Sequence, residues 1–254
     1  MLREWLREQL VANCWVLAVA ATSPFTCRRL STKGSATDSL SNSTFKSRTK
    51  ELVSSMSLDL NLAQESLDET VRAIGALDQA ALVQLGELLA HLGETGGILW
   101  TMGNGGSSST ASHMTCDVGK GIGASRPNPI RALSINEQSI TQSAWANDFG
   151  YEDAMRNQLE QLVRDDDAIL CISGSGNSPN VVNAARFARD RGLPVAILVG
   201  RNGGALSEHA TVEVRVDSTD MQVLENVHLV IVHWLYKALT HEGRTGPINP
   251  HPRP

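Results

Sequence analysis

Between residues 98 and 240 the chain repeats one pattern five times: a short apolar run, a small-residue loop or turn, then a helical stretch. The runs are 98–102 before GNGGSSST, 130–135 before a helix through Ala146, and 168–173 before GSGNS. Two more follow, 195–199 before GRNGG and 212–216 before a long helix from about Met221 to Thr240. Parallel strands need crossovers of about a dozen residues, and helices that cover both sheet faces supply them. The pattern therefore predicts an α/β fold, a flavodoxin-like, doubly wound five-stranded parallel sheet. In such sheets ligands sit beyond the carboxyl ends of the strands, where loops feed helix N-termini.

Ahead of the repeats, residues 58–92 carry Leu, Ala, Glu and Gln at helical spacing with a break near 75–78, which predicts two N-terminal helices ending at Gly93 or Gly96–Gly97. The folded domain is expected over 58–242, with 243–254, holding four prolines, as a flexible tail. Residues 1–55 carry 8 Lys+Arg against 4 Asp+Glu, while the whole chain has 22 against 27. Residues 31–57 contain 13 Ser or Thr, a composition that cannot offset its ordering entropy, so 1–57 is read as a disordered leader. Translation starting at Met56, a transit segment and a dispensable tail are its three readings. Glu4 and Glu8 argue against a signal sequence.

The net charge of −5 argues against general nucleic-acid binding. No apolar run reaches the roughly 20 residues of a membrane span. Four scattered cysteines form no C-x-x-C pair, as expected of a reducing, cytoplasmic compartment.

Chemistry concentrates in two loops. Asn104, Gly105, Gly106 and Ser107 open one helix; Ser173, Gly174, Ser175 and Ser178 precede another. Glycines admit a ligand close to the backbone, free N–H groups at a helix start attract an anion, and hydroxyls add donors without charge. That combination suits a sugar phosphate. The dinucleotide fingerprint fails at Ser108 and Pro179, the P-loop lysine is missing, and no G-x-S-x-G elbow occurs. A plain capped helix start is the alternative for each loop.

His113 and Asp117 share one helix face, as do Glu225, Leu229 and His233 further on. Two imidazoles and two carboxylates suit Zn2+ or a similar divalent ion, whereas an exposed helix pair is the plainer reading. His228 lies off that ridge and reads as a packing residue. Cys116 and Cys171 read as small core residues, Trp100, Trp145 and Trp234 as core or interface anchors, and 165–167 as a solvated turn.

Taken together, GNGGSSSTASH with Asp117, WANDFG at 145–150, SGSGNS before Pro179, and ENVH with His233 resemble the sugar-isomerase (SIS) domain. Within it they resemble the phosphoheptose (sedoheptulose 7-phosphate) isomerase family, from about Leu58 to Leu239. The resemblance implies conversion of D-sedoheptulose 7-phosphate to D-glycero-D-manno-heptose 7-phosphate, the entry to nucleotide-activated heptoses. It also implies a homotetramer with sites between subunits. It assigns substrate contacts to Asn104, Gly105, Gly106, Ser107, Asn147, Asp148, Ser173, Gly174, Ser175, Ser178 and Glu225. The metal ligands it assigns are His113, Asp117, Glu225 and His233. Two positions depart from the family pattern, which has Glu at 117 and Gln at 225. By position, Asp117 is expected as the base and His233 as the acid partner of an enediol isomerisation, with exchanged roles between Asp117 and Glu225 the alternative. A non-catalytic adaptor, a sugar-phosphate-sensing regulator and an isomerase of another ketose phosphate are the rival expectations.

Overall fold

A computed structural model describes residues 60–123 and 128–241. The expected leader (1–57) and tail (243–254) lie outside the described residues. Two helices, α1 (Leu60–Gly75) and α2 (Gln79–Thr95), precede β1 (Ile98–Gly103), α3 (Gly106–Cys116) and a wide π-type turn (Asp117–Ile122). Next come β2 (Arg131–Ser134), α4 (Ser139–Phe149), α5 (Tyr151–Leu162), β3 (Ala168–Ser173) and α6 (Pro179–Asp190). The chain continues with β4 (Val195–Gly200), β5 (Val212–Val216) and α7 (Met221–His241).

The break between the first two helices has a local cause. The Asp78 carboxylate caps α2 by accepting from the N–H groups of Ala80 at 2.8 Å and Ala81 at 3.4 Å. At the far end Gly96 takes φ 75°, a left-handed position that ends the helix while its N–H returns to the Leu92 carbonyl. Helix α4 outruns the expected end at Ala146 by three residues. Gly150, at φ 92°, then turns the chain into α5, which the apolar periodicity did not reveal.

The five strands are parallel in the order β2-β1-β3-β4-β5. Leu99 pairs with Ala168, Ile169 with Val195 and Ala196 with Val212. Strands β3 and β4 are buried at every position, as strands covered on both faces must be, whereas edge strand β5 exposes Arg215 between buried Val214 and Val216. On one face Leu99, Leu170, Ile172, Ala196 and Leu198 pack under α1, α2, α3 and α7. On the other, Trp100, Met102, Ile169, Cys171 and Ile197 pack under α5 and α6. Burial pushes the Cys171 thiol up to about 12, so it stays a core group.

Two expectations need correction. Asp167 is buried, because its carboxylate accepts from the Ile98 N–H (2.8 Å), the Trp100 indole (2.9 Å) and the Arg164 N–H (2.9 Å). Cys116 is exposed on the outer face of α3. Helix α4 has no buried residue; Trp145 is half-buried on it, its ring tilted 47° to that of exposed Phe149 at 5.1 Å, outside the core and within the interface alternative of the expectation. No single helix among the described residues is long and apolar enough to cross a membrane.

Candidate functional site

Both Gly/Ser loops leave the carboxyl ends of strands, β1 and β3, as a parallel sheet requires of a ligand site. At the end of β1 the Asn136 amide brackets Gly103, accepting its N–H at 3.1 Å and donating to its carbonyl at 2.9 Å. The loop then turns through Gly105 (φ 54°) into α3. Beside it opens a cleft of about 620 Å³ lined by Asn104, Gly105, Ser108, Asn136, Ser139, Gln142, Ser143, Ala146, Asn147 and Tyr151. Every polar side chain in that lining is neutral, which suits hydroxyl groups.

Of the residues expected here, Asn104, Gly105 and Asn147 line the cleft. Asp148 stands next to it, exposed, and accepts from the Asn147 amide at 2.8 Å. Ser107 does not line it, being buried where its Cβ fills the space a Gly103 side chain would need. Asn136, Gln142 and Tyr151 were not anticipated. Asn136 and Gln142 lie on the segment leaving β2, and the carboxyl-end rule applied to that strand would have found them.

The second loop builds a smaller cavity of about 230 Å³, lined by Gly174, Ser175, Asn177, Arg201, Asn202, Ser218, Thr219, Met221 and Leu224. Ser173 is buried at the end of β3, where its hydroxyl accepts from the Gly176 N–H at 3.2 Å. Ser178 serves as the N-cap residue of α6, its carbonyl accepting from Val181 and Val182. Arg201, which the sequence reading passed over, brings a positive charge to a cavity expected to hold only neutral donors. Its guanidinium donates to the Asp217 carboxylate at 2.6 Å. Its place in GRNGG, directly after β4, was the available signal.

The third feature lies between α3 and α7, which pass each other in the same direction. Gly106 meets Glu225 near their starts, His113 meets His233 further on, and Gly121 meets Tyr236 beyond. The two histidine Nε2 atoms are 3.0 Å apart, with the rings edge-to-face at 4.9 Å. Asp117 Oδ2 lies 3.4 Å from His113 Nε2. One ligand atom from each of His113, Asp117 and His233 falls within 4.8 Å of the others, a donor set of nitrogen and oxygen that fits a zinc-like divalent ion.

Glu225 departs from the expected four-ligand set. Its carboxylate lies against Gly106 at the start of α3, outside the group of three. The eight-position step from Glu225 to His233 amounts to about 12 Å of helix rise, and the positive end of α3 attracts the carboxylate where it stands. His228 is buried, and burial outweighs a backbone hydrogen bond at Val199 in pushing its imidazole down to about 4, so it packs as a neutral ring.

Comparison with known proteins bears on this geometry. The family model described as the SIS domain matches residues 64–200. A phosphoheptose isomerase of Shewanella sp. (strain W3-18-1) is 32% identical over 174 residues, covering 67% of this chain and 87% of the relative. One from Leptospira biflexa is 30% identical over 185 residues, covering 71% and 95%. The solved structure of a phosphoheptose isomerase from Francisella tularensis superposes with a TM-score of 0.66 at 28% identity, covering 72% of this chain and 96% of that one. The Vibrio vulnificus NanR protein complexed with ManNAc-6P, at 18% identity and TM-score 0.55, shares the fold alone.

Proposed function

The chain belongs to the SIS domain family, and from that premise we propose that it is a phosphoheptose isomerase, interconverting D-sedoheptulose 7-phosphate and D-glycero-D-manno-heptose 7-phosphate. The observation that carries the reading is the convergence of His113, Asp117 and His233, brought from positions up to 120 residues apart onto neighbouring helices. The product would feed nucleotide-activated heptose synthesis, and the reaction belongs in the cytoplasm.

Aldose–ketose exchange moves a proton between C1 and C2 through an enediol. It needs a base at carbon, an acid at the neighbouring oxygen, and stabilisation of developing negative charge. Asp117 is the base, partly shielded from water at the first position of the π-type turn that follows α3. His233 is the acid partner; its Nε2 faces His113 Nε2 at 3.0 Å, and with that nitrogen given to a metal the proton it could donate would be the one on Nδ1. His113, Asp117 and His233 would hold the metal, with Glu225 on the same helix as His233. A bound Zn2+ would supply Lewis-acid stabilisation of the substrate oxygens. Asn104, Gly105, Gly106 and Asn147 contact the sugar, with Asp148 and Glu225 beside them. Gly174 and Ser175 receive the phosphate, with Ser173 and Ser178 shaping the loop around it. Phosphate binding energy then orients the reacting carbons.

Copies of the chain assemble as a homotetramer. A groove of about 500 Å³ lined by Ile74, Leu77, Leu82, Val83, Val230 and Trp234, together with exposed Leu62, Leu67 and Val71 on α1, supports this reading. The deciding experiment is turnover of sedoheptulose 7-phosphate by the purified full chain, untreated, chelated, and chelated with zinc restored. The expectation is aldose formation that chelation removes and zinc returns. Activity indifferent to chelator would remove the metal from the mechanism, and no product under any metal would overturn the isomerase assignment.

A further inference from the structure

The Asn104 side chain at the cleft is held by residues that the isomerase reading does not use. Its carbonyl oxygen accepts from the Tyr151 hydroxyl at 2.9 Å and from the Asn180 amide at 2.9 Å. Its own amide nitrogen donates to Asn180 Oδ1 at 2.9 Å. An amide carbonyl offers two lone pairs and an amide nitrogen two hydrogens. Both lone pairs and one hydrogen of Asn104 are therefore committed, and a single N–H remains.

A reciprocal pair of amides could in principle be turned over on both sides at once. Met155 removes that symmetry. Its sulfur lies 3.5 Å from Asn180 Nδ2 and can accept but not donate, so the NH2 side of Asn180 belongs there. Asn180 is buried at the first turn of α6, and its amide orientation dictates that of Asn104. Tyr151, more than half exposed at the start of α5, reinforces the same orientation from the cleft side.

We propose that Asn180 and Tyr151 are positioning residues that fix Asn104 as a one-hydrogen donor facing a sugar oxygen, so that the position selects an acceptor and rejects a donor. The proposal rests on the isomerase reading above. It predicts that neither residue matters once Asn104 is gone, because both act through it.

The test is a pair of double-mutant cycles on full-length protein, reading kcat/KM for sedoheptulose 7-phosphate and melting temperature. Asn180→Asp keeps the acceptor toward Asn104 but loses the donor. Tyr151→Phe removes one donor at an exposed position and leaves the core untouched. Expected losses in kcat/KM are roughly 10-fold for Asn180→Asp and roughly 5-fold for Tyr151→Phe, the scale of one or two hydrogen bonds. In an Asn104→Ala background each loss should shrink to within about 2-fold, whatever the melting temperatures do. Losses that persist undiminished on Asn104→Ala would show a general structural role and overturn the proposal, and the Tyr151→Phe arm decides this even if Asn180→Asp fails to fold. If wild-type protein turns over the substrate and the cycles are additive, only the positioning role falls. Should wild-type protein neither turn over the substrate nor gain melting temperature from it, the isomerase reading falls and carries the proposal with it.

Discussion

Gly106 and Glu225 meet where the first turn of α3 passes α7, and a methyl group on Gly106 would overlap both oxygens of the Glu225 carboxylate. The close approach seats a negative charge at the positive end of a helix, next to the loop proposed to hold the sugar. It also explains why Glu225 stands apart from the two histidines, although it shares a ridge with His233.

Gly106→Ala should displace that carboxylate while leaving the fold in place, since the overlapping atoms end a flexible side chain. The expected result is a fall in kcat/KM of roughly 10-fold with a melting temperature within a few degrees of wild type. A kcat/KM within about 2-fold of wild type would show that the position of Glu225 is immaterial to the reaction.

Asp117→Asn removes the proposed base without changing side-chain shape. Turnover should drop by a factor on the order of 100 or more, with circular dichroism and melting unchanged. Near-normal turnover would move the base elsewhere, Glu225 being the next carboxylate to replace.

Asp167 anchors the chain below the sheet rather than at the site. Asp167→Ala would leave the Ile98, Trp100 and Arg164 donors without partners in a buried setting. Stability should fall by about 3 kcal/mol, read as a lower denaturant midpoint at unchanged slope. A loss under about 1 kcal/mol would mean that water reaches those donors.

His228 predicts an acid-sensitive fold. Its imidazole titrates near 4 when folded against 6.5 when free, so below about pH 6.5 the unfolded chain binds a proton that the folded chain refuses. The stability due to the neutral ring is therefore complete above pH 6.5 and declines as pH falls toward 4, by about 3 kcal/mol over the window. Comparing His228→Leu with wild type at pH 7 and pH 5 isolates this contribution. The variant should lose less stability on acidification, and equal losses would exclude His228 as the cause.

Much of the architecture was readable in the chain. Strands β1, β3 and β4 sit within a residue of the apolar runs, because a strand covered on both faces is predominantly apolar and its ends are marked by glycine or polar residues, and edge strand β5 was legible from its alternating valines. Asp78 and Gly96 punctuate the N-terminal helices in ways that act over a few residues, so they too were legible. Helix α5 was missed because Gly150 alone separates it from α4, and its polar first turn hides the apolar face.

The sequence by itself therefore determined the strand–loop–helix order, the placement of both Gly/Ser loops at strand carboxyl ends, and the pairing of His113 with Asp117 one turn apart. These are local properties, set by the periods of helix and strand. Only the tertiary structure decided that Asn104 would meet Asn180 from 76 positions away, that Arg201 would turn into the Ser175 cavity, and that Glu225 would face Gly106 rather than the histidines. Those meetings depend on the strand order β2-β1-β3-β4-β5 and on how far α7 slides along α3. Packing volumes across the whole sheet set both, and no stretch of chain carries them alone.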